Sequence, residues 1–195
     1  MQIESKCYPV AVLGAGTMGE GIAQIAATSG HPVMLYDVSQ AQTQGAIENI
    51  AKRLERSVNK EKITDEKRTQ ILANISPARA LGELAQVKLA IEAIIEDLGI
   101  KQDVFFQLES LLEADAILAT NTSSIDLNKM GSKLKHPQRL VGMHFFNPAQ
   151  VMALVEIVHS TETDSEVADL VFSLAEEWGK SPVHVRSSPG FIVNR

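Results

Sequence analysis

A single cysteine, Cys7, is present in the 195 residues, which excludes an internal disulfide framework and any cysteine-cluster metal site. No stretch approaches the roughly 18 uninterrupted apolar residues of a membrane span. The start, Met1 to Pro9, lacks the basic-then-apolar order of a secretory signal. Repeats, low-complexity tracts and flexible linkers are also missing. So is a basic block: 18 lysines and arginines stand against 24 aspartates and glutamates, a net charge of −6. Such a balance gives no electrostatic reason to bind nucleic acid or anionic lipid. What remains is a cytoplasmic chain with no metal site, long enough for one domain or a domain and a fraction. At 45% apolar residues, it can bury about 70% of its extended-chain surface.

Short apolar runs alternate with longer helical patterns. Strand candidates are Val10–Leu13, Val33–Tyr36, Leu89–Ala93, Ile117–Thr120, Leu140–His144, Leu154–His159 and Val183–Arg186. Most are continuous rather than alternating, as suits strands covered on both faces. Helices are expected over Thr17–Ser29, Ser39 to Ser57, Thr64–Leu72, Ile100–Leu112 and Ser165–Trp178. This alternation predicts an α/β fold of Rossmann type, a mostly parallel sheet flanked by helices. A helical hairpin follows the second strand. Too few residues separate His144 from Leu154 for a crossover helix, so antiparallel strands are expected toward the C-terminus. Residues 1–188 are expected to form this domain. Ser188-Pro-Gly looks like a helix start, which makes 189–195 the opening of a truncated or absent further domain.

Gly14-Ala15-Gly16-Thr17-Met18-Gly19 has G-x-G-x-x-G spacing. A strand leads in, a helix leads out, and a second strand ends in Asp37, 18 residues beyond Gly19. Gly14 allows the tight turn, Gly16 lets the backbone approach a pyrophosphate, and Gly19 lets helix pack closely on strand. The first N–H groups of the helix would meet phosphates, and Asp37 can accept from a ribose 2′-hydroxyl. An acidic residue there repels a 2′-phosphate, and Val38-Ser39-Gln40 supplies no arginine for one. The cofactor expected is therefore NAD rather than NADP.

The chemistry candidates lie further on. Thr120-Asn121-Thr122-Ser123-Ser124 follows a strand, so its hydroxyls reach the carboxyl edge of the sheet. Ser123-x-x-Asp126 also fits a capping box for the next helix, and spacing alone does not choose between ligand and cap. His144 closes an apolar strand, and Glu156 lies 12 residues on in the next. A reversal at Asn147-Pro148 would bring carboxylate beside imidazole, fix the ring tautomer and ready it to move a proton. Glu92, Glu96 and Asp97 form an acidic cluster after another strand, with Lys101 one helical turn beyond. This is either a ligand surface or a charged helix start. In the hairpin, Lys52, Arg53, Arg56, Lys60 and Lys62 are mostly a solvated face, with Glu48 and Lys52 at i,i+4 spacing. They also offer a basic edge to a phosphorylated substrate tail.

Together, Gly14–Gln24, Ile91–Lys101, Thr120–Ser124, Gly142–Glu156 and Pro189–Arg195 resemble the 3-hydroxyacyl-CoA dehydrogenase family, specifically its N-terminal NAD-binding domain. The bacterial 3-hydroxybutyryl-CoA and 3-hydroxyadipyl-CoA enzymes look nearest. The resemblance implies that His144 is the acid/base on the substrate 3-hydroxyl while hydride leaves C3, with Glu156 orienting it. It implies that Ser123 and Asn194 hydrogen-bond the substrate oxygen. Glu96, Lys101, Ser123 and Asn147 would lie against NAD beside residues 14–19 and Asp37. It further implies an acyl-CoA substrate met by the hairpin, and a homodimer formed through a C-terminal helical domain. Ala153 departs from the lysine many members carry. Two other readings stand beside this one: an NAD-binding fragment inactive without that further domain, and a related dehydrogenase of a free hydroxy acid.

Overall fold

Four-residue apolar runs, too short for helices, make the middle layer of the molecule. The computed structural model describes residues 8–187. In chain order these form β1 (Val10–Leu13), α1 (Thr17–Thr28), β2 (Val33–Tyr36), α2 (Gln40–Asn59), α3 (Asp65–Ala73) and β3 (Ile75–Ala78). They continue with β4 (Leu89–Glu92), α4 (Leu98–Leu111), β5 (Ile117–Thr120), α5 (Leu127–Gly131) and β6 (Leu140–Phe145). β7 (Leu154–His159), α6 (Ser165–Glu177) and β8 (Ser181–Arg186) complete them. The eight strands form one sheet in the order β3-β2-β1-β4-β5-β6-β7-β8. The first six of that order run parallel, β7 is antiparallel to β6, and β8 follows β7 in parallel. The mostly parallel Rossmann-type sheet, the hairpin after β2 and the reversed C-terminal strands are all as the sequence predicts.

Alternate residues of each strand serve opposite faces. Val10 and Val12 join one core with Ile22, Ile50, Ile71 and Val171, drawn from α1, α2, α3 and α6. Ala11 and Leu13 join the other with Phe105, Leu108 and Met130, from α4 and α5. Cover on both sides explains why β1, β4 and β5 are buried along their whole length. In α2 the buried positions Thr43, Ala46, Ile50 and Leu54 recur every three or four residues, one stripe of a helix laid on a core. The other face carries the charges. Glu48 there accepts from Gln44 at 3.1 Å, so its expected partner Lys52 is displaced by a neighbour one turn earlier.

One element departs from the sequence expectation, for a physical cause. β3 was not expected: Ile75-Ser76-Pro77-Ala78 buries only its ends and so has no hydrophobic run. It is an edge strand, where proline costs no ladder bond. The choice left open by spacing, at α5, is also decided. Its cap is Asp126, whose carboxylate accepts from the Asn128 N–H at 3.0 Å. Ser123 is therefore not the cap of that helix. The expected helix start at Ser188, together with Cys7 and Asn194, lies outside the described residues.

Candidate active site

The strand order reverses at β1, whose neighbours β2 and β4 lie on either side of it, and α1 and α4, which follow β1 and β4, pack on opposite faces of the sheet. Ligands of open α/β sheets sit in the crevice this creates at the carboxyl ends of the strands. The crevice here has two hollows, of about 620 Å³ and about 350 Å³. Both have Met18, Ala93 and Ile94 in their walls, which makes them two parts of one groove. Their sizes lie in the range of small-molecule sites.

The larger part is built by the β1–α1 turn. Gly14 has φ +100, and a Cβ on it would stand 2.4 Å from the carbonyl oxygen of Ala93. A Cβ on Gly19 would lie 1.7 Å from the Gly14 oxygen, so only glycine lets α1 start this close to β1. At Gly16 a Cβ would meet nothing within 4 Å: the groove is open there. No side chain caps α1 at Gly16, so the N–H groups of its first turn and the positive end of the helix dipole face the groove. Asp37 sits across it. Its carboxylate accepts from the Ala15 N–H at 2.8 Å and from the Ser39 N–H at 2.9 Å, which fixes the side chain and keeps lone pairs for ribose hydroxyls. Beyond it, Val38, Ile95 and Ile100 are exposed on the groove wall, an apolar surface for a flat heterocycle. An open cradle, an uncapped helix and a fixed acceptor fit a dinucleotide.

The smaller part gathers residues from four loops and strands. His144 and Glu156 are register partners across β6 and β7. His144 Nδ1 lies 2.7 Å from Glu156 Oε2, with the carboxylate fully buried and the ring 5% exposed. A carboxylate beside Nδ1 favours the ring tautomer with its proton on that nitrogen. Ser123, Glu96, Lys101 and Asn147 line the same hollow as His144. Of the implied residues within the described chain, Gly14, Gly16, Thr17, Met18, Asp37, Glu96, Lys101, Ser123, His144 and Asn147 line the groove, while Ala15, Gly19 and Glu156 are buried behind its wall.

Glu96 is held by several donors. Its Oε1 accepts from the Thr122 hydroxyl at 2.5 Å, the Ser123 N–H at 3.0 Å and the Ser124 hydroxyl at 3.2 Å. Its Oε2 lies 3.2 Å from the Lys101 ammonium. Partial burial pushes its pKa up, but the Thr122 hydroxyl, the Lys101 charge and the Ser123 N–H outweigh this and hold it below the usual carboxylate value. Ser123 Oγ is only loosely engaged, 3.5 Å from Glu96 Oε1.

The acidic cluster after β4 divides into three tasks. Glu96 faces the groove, Asp97 caps α4 by accepting from the Ile100 N–H at 2.9 Å, and Glu92 is buried inside the strand. The sequence signals neither Glu92's burial nor Asn121's role. Asn121 Oδ1 accepts from the Phe145 N–H at 2.9 Å, while its own N–H donates to the Glu92 carbonyl at 2.8 Å. It ties the ends of β4, β5 and β6 together beneath the hollow. Among the described residues no group of three or more metal-ligating side chains occurs.

Residues 9–188 match the family described as 3-hydroxyacyl-CoA dehydrogenase, NAD binding domain. The chain belongs to this family. It is 45% identical over 186 residues to the 3-hydroxyadipyl-CoA dehydrogenase of Escherichia coli K12, covering 95% of this chain and 39% of that protein. It is 43% identical over 190 residues to the 3-hydroxybutyryl-CoA dehydrogenase of Clostridioides difficile, covering 95% of this chain and 66% of that one. Among solved structures, the 3-hydroxybutyryl-CoA dehydrogenase of E. coli K12 superposes with a TM-score of 0.94 at 44% identity, covering 95% of this chain and 39% of that chain. The chain thus spans between two fifths and two thirds of these 3-hydroxyacyl-CoA dehydrogenases. Its G-x-G-x-x-G turn, Asp37 and the groove between them belong to the family's NAD-binding domain.

Proposed function

We propose that this chain is the cofactor-binding and catalytic part of a dehydrogenase that oxidises (S)-3-hydroxyacyl-CoA to 3-oxoacyl-CoA, reversibly. The observation that carries the reading is the buried His144–Glu156 pair, 2.7 Å apart, on the wall of a groove whose other half fits a dinucleotide. NAD, when bound, supplies the hydride acceptor. His144 Nε2 takes the proton of the 3-hydroxyl as its C3–H electron pair departs, and returns it in the reverse direction. Glu156 holds the ring tautomer and stabilises the imidazolium that forms. Ser123 turns its loosely held hydroxyl to the substrate oxygen, joined by Asn194. Glu96, Lys101 and Asn147 position the nicotinamide end, and the 14–19 turn and Asp37 the pyrophosphate and adenosine ribose. The α2–α3 hairpin meets the CoA moiety.

Because the chain spans only 39% and 66% of these relatives, we extend the proposal to a whole protein with a further helical domain that closes the acyl-CoA cleft and carries a homodimer contact, and that works in the cytoplasm. No helix among the described residues is long and apolar enough to cross a membrane. The test is NADH formation from (S)-3-hydroxybutyryl-CoA and from free 3-hydroxybutyrate by the whole protein. Turnover of the thioester alone supports the proposal; a preference for the free acid overturns it. Because the chain spans only part of its relatives, a second reading is that these 195 residues bind NAD without turnover. NADH binding with activity gained on restoring the remaining domain would select it.

A further inference from the structure

Glu92 is a charged residue at the end of an otherwise apolar four-residue strand, and its side chain is 0% exposed. Such a group costs stability unless its oxygens are satisfied. Here both are. Oε1 accepts from the Ile94 N–H at 2.7 Å and from the Lys101 ammonium at 2.5 Å, and Oε2 from the Thr120 hydroxyl at 2.7 Å. Lys101 is itself 1% exposed, and its second carboxylate contact is Glu96 at 3.2 Å. The Thr120 hydroxyl in turn accepts from the Thr122 N–H at 3.1 Å, at the root of the segment that carries Asn121 and Ser123.

A buried ion pair of this kind is a poor stabiliser, since apolar residues of the same volume usually do as well. Its effect is specific to Lys101. An ammonium buried this far is tolerated only where carboxylates pair with it and hold it in one place. Lysine has three N–H donors; Glu92 and Glu96 take two. The third is available to an acceptor in the hollow that Lys101 lines with Ser123 and His144.

We propose that Glu92 is a positioning residue: it holds the Lys101 ammonium in place on the groove wall, and through Thr120 joins it to the β5 loop that presents Ser123. The inference rests on the groove being the NAD site. The titratable groups around the ammonium are Glu92 from β4, Glu96 from the β4–α4 loop and, across the hollow, His144 from β6. Of these only Glu92 combines full burial with direct contact.

The test pairs NADH affinity with the lysine 13Cε resonance that disappears in Lys101→Met. In Glu92→Gln that resonance moves from its native position and NADH binds roughly tenfold more weakly, about the loss of one charged hydrogen bond. Glu92→Asp brings both back toward the native values. A Glu92→Gln chain that melts earlier but keeps the native resonance and NADH affinity would overturn the proposal, because a purely structural role moves stability alone. If Glu92→Gln does not fold, the uncharged pair Glu92→Gln/Lys101→Met replaces it. That double variant should bind NADH as Lys101→Met does, and much weaker binding would show that Glu92 acts other than through Lys101. A native chain that fails to bind NADH, with the Lys101 resonance still displaced in Glu92→Gln, would remove the cofactor assignment and leave the Glu92–Lys101 coupling standing.

Discussion

The two halves of the groove are built in different ways. The half at β1 and β2 takes its polar contacts mainly from backbone: three glycines, one helix end and one carboxylate between residues 14 and 37, beside an apolar wall of Val38, Ile95 and Ile100. The half at β4 to β7 rests mainly on polar side chains, drawn from residues 92 to 156 and joined by hydrogen bonds that cross four strands. A backbone site depends on where Cβ atoms are absent, so it tolerates little addition. A side-chain site depends on charges and donors meeting in a dry place, so it tolerates little removal. Substitutions in the two halves should therefore fail differently.

The largest effect is expected in the side-chain half. Glu156→Gln keeps the shape of the pair but removes the charge that fixes and supports the imidazole. Turnover of 3-hydroxyacyl-CoA by the whole protein should drop by about 10²–10⁴, with NADH affinity kept. Equal losses in both would show that the residue serves the fold rather than the proton transfer. Next comes the backbone half. Gly19→Ala sets a methyl 1.7 Å from the Gly14 oxygen, and should cost at least about 1–3 kcal/mol of overpacking. Thermal denaturation and an NADH titration should both record the loss, and an unchanged melting temperature would refute the close approach.

Asp37→Ser follows, with a loss confined to binding. It removes an acceptor for a ribose hydroxyl, a charged hydrogen bond of about 1.5–3 kcal/mol. NADH should bind roughly ten- to a hundredfold more weakly, and the margin over NADPH should narrow. An unaltered ratio of the two dissociation constants would move the ribose elsewhere.

The smallest effect lies outside both halves. His31 is buried between Tyr8 and Trp178. Desolvation lowers its pKa, against the opposing Tyr8 carbonyl and Glu177 charge. The unfolded chain therefore binds the proton more readily, and stability present above about pH 6.5 is lost on acidification below it. Melting curves between pH 7.5 and 5.5 should show that slope, and His31→Gln should flatten it. His159, also lowered by burial, adds to the same slope and survives the substitution.

The contrast also explains what the sequence reveals. Gly14, Gly16, Gly19 and Asp37 lie close together in sequence, and their spacing reports a strand, a turn and a helix directly. The reversal at Asn147-Pro148 was legible too, so the His144–Glu156 pairing could be expected from two strands and a turn. Ser123 was not decided locally, since a hydroxyl three residues before an acid suits a cap as well as a ligand. Only the fold, by giving the cap to Asp126, releases it. Glu92 was least legible. A glutamate beside Glu96 and Asp97 reads as part of one charged surface, and its burial follows from β1 and β5 closing on both sides of β4. The partners that keep it there, Lys101 and Thr120, are 9 and 28 residues away. β3 was missed because an edge strand does not need a hydrophobic run.

If one groove holds NAD in its backbone half and moves a proton in its side-chain half, His144→Ala separates the two, titrated with NADH and assayed with (S)-3-hydroxybutyryl-CoA in the whole protein. NADH affinity should stay within about twofold of the native value while turnover falls by at least about 10²-fold. Turnover that survives the loss of the imidazole would contradict that division of roles.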